Sequence, residues 1–295
     1  MEKRILITGG SGLLGQYLNV VTAKGNNILT LYITHVGNCA EFKNIMADIT
    51  NFESIKEIFL SFKPEVVIHS AAITNPIPFP GQHSKDVYMI NVNATKNIVE
   101  LCDHFGAKLI YISTDLVYAG YRSSMLSEDA KLIPVSLYAE TKLMGEIKIK
   151  ETFKNYLILR TALLFGFGLN HSKCHFQNMN NELKNGSPVK LFVDQFRTPI
   201  SLNEAAETIY KISLLDIMNE TINLSGVERV SRYELGEILC SIAGYNKNLL
   251  QKITLDDMPD LPKVEDVSLN TDKLQSLGMK IKTIEENILG IIREH

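Results

Sequence analysis

Two patterns in the chain could carry chemistry. Tyr138 and Lys142 stand four residues apart in Ser136-Leu137-Tyr138-Ala139-Glu140-Thr141-Lys142, a spacing that puts both on one face of a helix. A free phenol, with a pKa of about 10, is poorly matched to proton transfer at neutral pH. A neighbouring ammonium favours the phenolate and draws that value down, so the pair reads as a proton-transfer couple. The spacing alone is common, and a packed tyrosine beside a solvated lysine has the same signature. The second pattern is Thr8-Gly9-Gly10-Ser11-Gly12-Leu13-Leu14-Gly15. It follows an apolar run and opens an amphipathic one. Glycines there permit a tight turn and let backbone N–H groups reach a pyrophosphate at the positive end of a helix. A Gly-rich turn without ligand is the alternative; the strand-turn-helix context favours the dinucleotide.

Both patterns need elements that hold them at one edge of a scaffold. Short apolar runs, candidates for buried strands, stand at 4–8, 28–33, 65–70, 107–112 and 156–160. Between them lie longer amphipathic stretches at 13–24, 51–62, 84–105 and 136–153. In 51–62, Phe52, Ile55, Ile58, Phe59 and Phe62 recur at three- and four-residue steps, as a helix with one buried face requires. This alternation predicts right-handed βαβ units and a parallel sheet covered on both faces. The expected fold is α/β, a Rossmann-type doubly wound parallel sheet with a smaller C-terminal α/β substrate lobe. Residues 1–165 read as the dinucleotide-binding domain, and 166–295 mostly as the substrate-binding lobe, with 198–225 packing back on the sheet. Helices are expected at 173–184, 203–217 and 231–242 and a short strand near 221–224, while Pro259 and Pro262 mark 256–265 as a loop.

Composition narrows the function classes. A chain of 295 residues, 45% hydrophobic and 21% charged, has the make-up of a soluble globular protein. The formal net charge of -3 and the lack of a basic run argue against a nucleic-acid partner. Cys39, Cys102, Cys174 and Cys240 are far apart and form no CxxC pair, which suggests reduced thiols in a reducing compartment. The apolar run after Met1-Glu2-Lys3-Arg4 is too short for a signal peptide. No apolar run approaches the roughly 18 residues of a membrane span. The expectation is a cytoplasmic protein with no membrane partner. His171-Ser172-Lys173-Cys174-His175 offers two histidines and a cysteine but no fourth ligand at a usual zinc spacing. No metal is expected there, and the segment reads as cleft lining.

The glycine spacing Gly9-x-x-Gly12-x-x-Gly15, followed by Tyr138 and Lys142, resembles the extended short-chain dehydrogenases. The resemblance implies a nicotinamide cofactor on Gly9, Gly12, Leu13, Leu14 and Gly15. It adds Thr114, at the end of the fifth strand, as the third catalytic residue beside Tyr138 and Lys142. Thr114 would orient the substrate oxygen, Tyr138 would exchange a proton with it, and Lys142 would also hold the nicotinamide ribose. Asp48 with Ile49, after the third strand, would contact the adenine; the bare residue reads equally as an acid near a helix N-cap. Ser70-Ala71-Ala72 matches the strand end that lies along the cofactor, and Asn91 matches an Asn-rich helix start that supports it. His69 reads as a satisfied strand histidine. The second strand ends Tyr32-Ile33-Thr34-His35, with no acid to accept a free ribose 2′-hydroxyl, so Thr34 and His35 favour NADP over NAD.

Several segments are similar to the dTDP-4-dehydrorhamnose reductase family. Tyr111-Ile112-Ser113-Thr114-Asp115-Leu116-Val117-Tyr118 looks like its STDYVF segment, and Leu159–Gly166 like its R(T/S)xxxYG segment. Val193-Asp194-Gln195-Phe196-Arg197-Thr198-Pro199 resembles its DQ…G.PT segment, and Val267–Leu274 its LD..KL ending. The loop Thr74-Asn75-Pro76-Ile77-Pro78-Phe79-Pro80-Gly81 departs from the acidic VDxAE-like stretch of those reductases. Thr74 and Asn75 remain candidates to bind substrate. Arg197 stands where a glycine is common; a guanidinium there suits a diphosphate bidentately or an ion pair between lobes. The implied function is NAD(P)H-dependent reduction of a 4-keto nucleotide-activated deoxy sugar, with a homodimer as a common assembly. An epimerase or dehydratase on a related sugar nucleotide is the enzymatic alternative. A non-catalytic NADP-binding regulatory subunit, like that of methionine adenosyltransferase, is the other. The missing acid after the second strand predicts that NADPH binds more tightly than NADH in a fluorescence titration; far tighter NADH binding would contradict it.

Overall fold

Seven parallel strands form the central sheet of the computed structural model, which describes residues 2–74, 83–121 and 123–294. They are β1 (Arg4–Thr8), β2 (Asn27–Tyr32), β3 (Asn44–Met46), β4 (Val66–His69), β5 (Lys108–Thr114), β6 (Tyr156–Thr161) and β7 (Glu220–Leu224). Their spatial order is β7-β6-β5-β4-β1-β2-β3. The chain reverses its direction of travel between β1 and β4, and the crevice of an open α/β sheet opens at such a point beyond the strands' carboxyl ends. Side chains alternate along β1: Ile5 and Ile7 join a core under α1 (Leu13–Thr22), and Leu6 joins the core on the other face. That second core is filled by α2 (Phe52–Phe62) and α3 (Ala94–Phe105), both amphipathic. The doubly wound parallel sheet expected from the periodicity is therefore present.

The expected helix at 84–105 is broken by a π-turn at Met89–Asn93 between Ser84–Tyr88 and α3. The extra residue per turn sets Asn91 where it bonds two neighbouring elements. Its amide donates to Ile73 O (3.0 Å) and Thr141 Oγ1 (3.0 Å), and its Oδ1 accepts from the Ile73 N–H (2.9 Å).

The longer helices that follow are α4 (Leu137–Thr152), α5 (His175–Lys184), α6 (Leu202–Ser213), α7 (Arg232–Ala243) and α8 (Ile284–Glu294). Helix α6 packs its Ala205, Ala206, Ile209 and Ile212 into the core beneath α1, and β7 pairs with β6. A third core holds the C-terminal lobe: Phe176 and Met179 of α5, Leu235 and Leu239 of α7, and Ile284 and Ile288 of α8. Two short strands, Val189–Phe192 and Leu250–Ile253, pair parallel within it.

Helix α4 is the least amphipathic of the sheet-covering helices, and it buries Lys142 and Glu146. Glu146 accepts from Ser113 Oγ (2.6 Å) and from Arg160 Nη2 (2.8 Å), both side chains of the ion pair being 1% exposed. Arg160 also donates to Tyr118 OH (2.8 Å) and Glu128 O (2.9 Å), and the Tyr118 hydroxyl donates to Asn223 Oδ1 (2.8 Å). This satisfied network fastens α4 to β5, β6 and β7. Removing one partner leaves the other charge buried and uncompensated, at a cost of about 3–5 kcal/mol. Glu146→Leu should therefore lower unfolding stability by that order in urea denaturation. Glu146→Leu with Arg160→Met should recover most of it; a single variant as stable as the native chain would contradict the network's role.

Candidate active site

The Gly-rich turn lies between β1 and α1. Gly9 has φ +69°, and a Cβ there would stand 2.7 Å from the Ala71 backbone, so only glycine lets the loop after β4 approach this closely. Gly12 caps α1 with extended backbone and no side-chain hydrogen bond, and the first turn of the helix carries no acid. The N–H groups that open α1 face no competing carboxylate, which is what a phosphate of a dinucleotide needs. The residues present fit a nicotinamide dinucleotide. The loop is braced from the C-terminal lobe. Gln16 donates to Ser11 O (3.1 Å), Leu169 O (2.9 Å) and Ser172 Oγ (3.0 Å), and accepts from Asn170 Nδ2 (2.7 Å).

The turn opens onto a cleft of about 1040 Å³ at the carboxyl ends of the strands. Gly9, Gly12, Leu13, Leu14, Gly15, Asp48, Ile49, Ser70, Ala71, Ala72, Thr74, Thr114, Tyr138, Lys142 and Arg197 all line it. Thr34 and His35 are exposed just beyond Tyr32 and Ile33, the last residues of that segment to line the cleft. His35 packs against His171, with ring centroids 4.7 Å apart and the rings tilted by 41°. Asn91 does not line the cleft; it pins the loop after β4 to α4 from behind. Asn75 lies outside the described residues. Of the segment 171–175, Lys173, Cys174 and His175 line the cleft. Among the described residues no group of three or more His, Cys, Asp or Glu is placed to hold a metal ion.

Ser136 caps α4, its Oγ accepting from the Ala139 N–H (3.3 Å), and Tyr138 follows in the first turn. Lys142, one turn on, is buried with its Nζ 3.9 Å from the centroid of the Tyr111 ring. Burial dominates both groups. It pushes the Tyr138 phenol above its ordinary value, a hydrogen bond with Thr114 pulling back and the Asp115 carboxylate pushing further. It pulls the Lys142 ammonium down to about 7, against the opposing charge of Glu146. The spacing alone pointed to a lowered phenol; the structure has a phenol held protonated, because the desolvation that spacing cannot show is the larger effect.

His69, fully buried, is a fixed neutral imidazole. Thr95 Oγ1 donates to Asn91 O (2.8 Å), so it accepts from His69 Nε2 (3.0 Å), and Nδ1 then accepts from Thr8 Oγ1 (2.6 Å). Burial and the Lys142 charge hold its pKa at about 3, which rules it out as a proton shuttle at neutral pH.

Beyond Thr114, Asp115 is buried and accepts from Thr114 Oγ1 (3.1 Å). Arg197 faces it, Nε 3.8 Å from Asp115 Oδ2, and donates from Nη1 to Phe196 O (2.6 Å) and from Nη2 to Val264 O (3.4 Å). Burial raises the carboxyl's pKa and lowers the guanidinium's, each opposed by the partner's charge. Gln195 and Arg232 complete this wall.

A family model described as the RmlD substrate binding domain matches residues 3–295. The chain belongs to this family. A dTDP-4-dehydrorhamnose reductase of Aggregatibacter actinomycetemcomitans is 28% identical over 271 residues, covering 88% of this chain and 87% of the relative. The methionine adenosyltransferase 2 subunit beta of Rattus norvegicus is 26% identical over 299 residues, covering 96% of this chain and 84% of the relative. The crystal structure of a Bacillus anthracis dTDP-4-dehydrorhamnose reductase in complex with NADP shares the fold at a TM-score of 0.86 and 24% identity, covering 100% of both chains.

Three features of this RmlD-family site were not legible in the sequence: the Gln16 brace, the Glu146 lock and Arg232. Each joins segments far apart in the chain, and no local spacing marks them. The buried ammonium generates a pH-dependent prediction. A lysine in the unfolded chain keeps its proton to about 10.4, whereas folded Lys142 loses it at about 7. The unfolded state thus binds more protons across that window, and stability rises with pH through it. Lys142→Met should be more stable than the native chain below pH 7 without cofactor, the gap shrinking as pH approaches 10. Urea unfolding measures it; a native chain as stable as the variant at pH 6 would contradict the buried charge.

Proposed function

We propose that the chain is an NADPH-dependent reductase of a 4-keto, nucleotide-activated deoxy sugar. The observation that carries this reading is the meeting of Thr114, Tyr138 and Lys142 with the open start of α1 in one cleft. A bound nicotinamide cofactor supplies the hydride for the carbonyl carbon. The residues of the chain supply the rest. Thr114 orients the substrate oxygen. Tyr138, held protonated across the neutral range by burial, gives that oxygen its proton as the carbonyl becomes an alcohol. Lys142, one turn below, holds the ribose and offsets the phenolate left behind. Reduction takes the proton that Tyr138 carries, and the reverse reaction needs the phenolate at the same position. Dehydration asks for a further acid after Asp115, where Leu116 stands.

In the same reading residues 1–165, with 198–225, bind the cofactor and most of 166–295 binds the sugar nucleotide. Asp48 and Ile49 contact the adenine, and Ser70, Ala71 and Ala72 lie along the cofactor. Asn91 acts through the loop it pins. Thr34, exposed and without an acidic neighbour at the strand end, leaves room for a 2′-phosphate. Four free cysteines fit the reducing cytoplasm.

The test follows NADPH absorbance with dTDP-4-dehydro-6-deoxy-L-mannose, native chain against Tyr138→Phe. Consumption by the native chain, reduced roughly 10²- to 10⁴-fold in the variant with NADPH affinity kept, is the expected result. NADPH bound but not consumed would overturn the assignment of this sugar and favour another sugar nucleotide or a regulatory subunit.

A further inference from the structure

Arg232 is the first residue of α7, behind the N-cap Ser231 and its capping box with Glu234. A cation in that position sits at the positive end of the helix, where it is repelled rather than stabilised. Two contacts with one residue fix it there: its N–H donates to Gln195 O (3.2 Å) and its Nε to Gln195 Oε1 (3.0 Å). Nη1 is buried and has no hydrogen-bond partner, although the side chain as a whole is half-buried and lines the cleft. An unmet buried guanidinium donor costs free energy until something accepts from it.

The charges around it point to what that is. Arg197 donates to two backbone carbonyls and stands 3.8 Å from Asp115 Oδ2, an ion pair without a hydrogen bond. Both guanidinium groups feel the Asp115 carboxylate, and Asp266, which also acts on Arg197, is paired with Arg229 (2.7 Å), so among the described residues one positive charge of this cluster is in surplus. His175, on the same wall, is pulled down to about 4 by burial and by Arg232, so it adds no charge at neutral pH. Lys173 and Lys190 are exposed where they line the cleft and carry the same sign. Burial and the charge of Arg197 pull Arg232 itself down to about 9, a strain that a bound anion relieves.

We propose that Arg232 is the anchor for the diphosphate of a nucleotide-activated substrate, and that Arg197, neutralised by Asp115, is part of the cleft wall and not the ligand of that group. The inference rests on the reading of the substrate as a nucleotide sugar. A planar guanidinium matches two phosphate oxygens bidentately, and Gln195 holds it ready, so little ordering is left for binding to accomplish.

Isothermal titration of dTDP, UDP and GDP, each against its nucleoside, tests this on the full chain with NADPH affinity as the control for folding. The native chain should bind at least one diphosphate more tightly than the matching nucleoside. Arg232→Gln should weaken that diphosphate roughly 10- to 100-fold while leaving the nucleoside and NADPH unchanged, with Arg232→Lys in between. Equal diphosphate affinity in native and Arg232→Gln chains overturns the inference. So does a native chain with no preference for diphosphate over nucleoside, or a larger loss in Arg197→Gln than in Arg232→Gln. Failure of the reductase reading is seen separately: diphosphate binding that depends on Arg232 without NADPH consumption retains this inference and rejects that reading.

Discussion

The burial of charge along one face of α4 is the constraint on which the rest of this site depends. Tyr138, Lys142 and Glu146 follow one another at four-residue steps, so they share a face, and that face is turned to the sheet. A helix that buries an ammonium and a carboxylate is unstable unless both find partners. Glu146 finds Arg160 and Ser113. Lys142 lies over the Tyr111 ring, whose hydroxyl donates to the Lys142 carbonyl (3.3 Å). The helix comes close enough for this because residue 145 is glycine: a Cβ there would stand 2.3 Å from the Tyr111 hydroxyl. Sliding α4 by one residue would separate every one of these pairs. The lock fixes the register, and the register sets Tyr138 in the cleft with Thr114.

The cofactor side depends on a different kind of restraint. The start of α1 is left open for a ligand, and the turn before it is held locally by the Gly12 N–H on Gly9 O (3.0 Å) and by Asn19 Nδ2 on Gly10 O (3.0 Å). Further stiffness comes from the far lobe, through Gln16, Ser172 and Asn170, and from Tyr17 donating to Phe167 O (2.7 Å). The side chains that would meet substrate and those that would meet cofactor thus belong to one hydrogen-bonded frame. Asn91 joins the loop after β4 to α4 in the same manner.

Periodicity made the sheet legible, since β1, β4 and β6 are short apolar runs between amphipathic helices. The short strand β3 left no such trace because its three residues are half-buried or exposed. The strand pair Val189–Phe192 and Leu250–Ile253 mixes exposed lysines with buried leucines and follows neither period. The Gly-rich turn and the Tyr138–Lys142 spacing were visible because each is a local pattern with a local reason. The Asp115, Arg197 and Arg232 cluster was not, because only the folded chain brings its segments together. The direction of the phenol's shift was hidden for the same reason: spacing shows the neighbour, but only the fold shows how much water is excluded.

The fold buries the Lys142 ammonium, and the Glu146 carboxylate and the Tyr111 ring oppose the cost. The direct measurement is an NMR titration of the chain with ¹³C-labelled lysine, following the ε-carbon of Lys142 from pH 5 to pH 11 in the native protein and in Glu146→Gln. The account predicts a native midpoint near 7 and a lower one in the variant, where the supporting carboxylate is gone. A Lys142 that titrates with the surface lysines at about 10.4, in both chains alike, would contradict it.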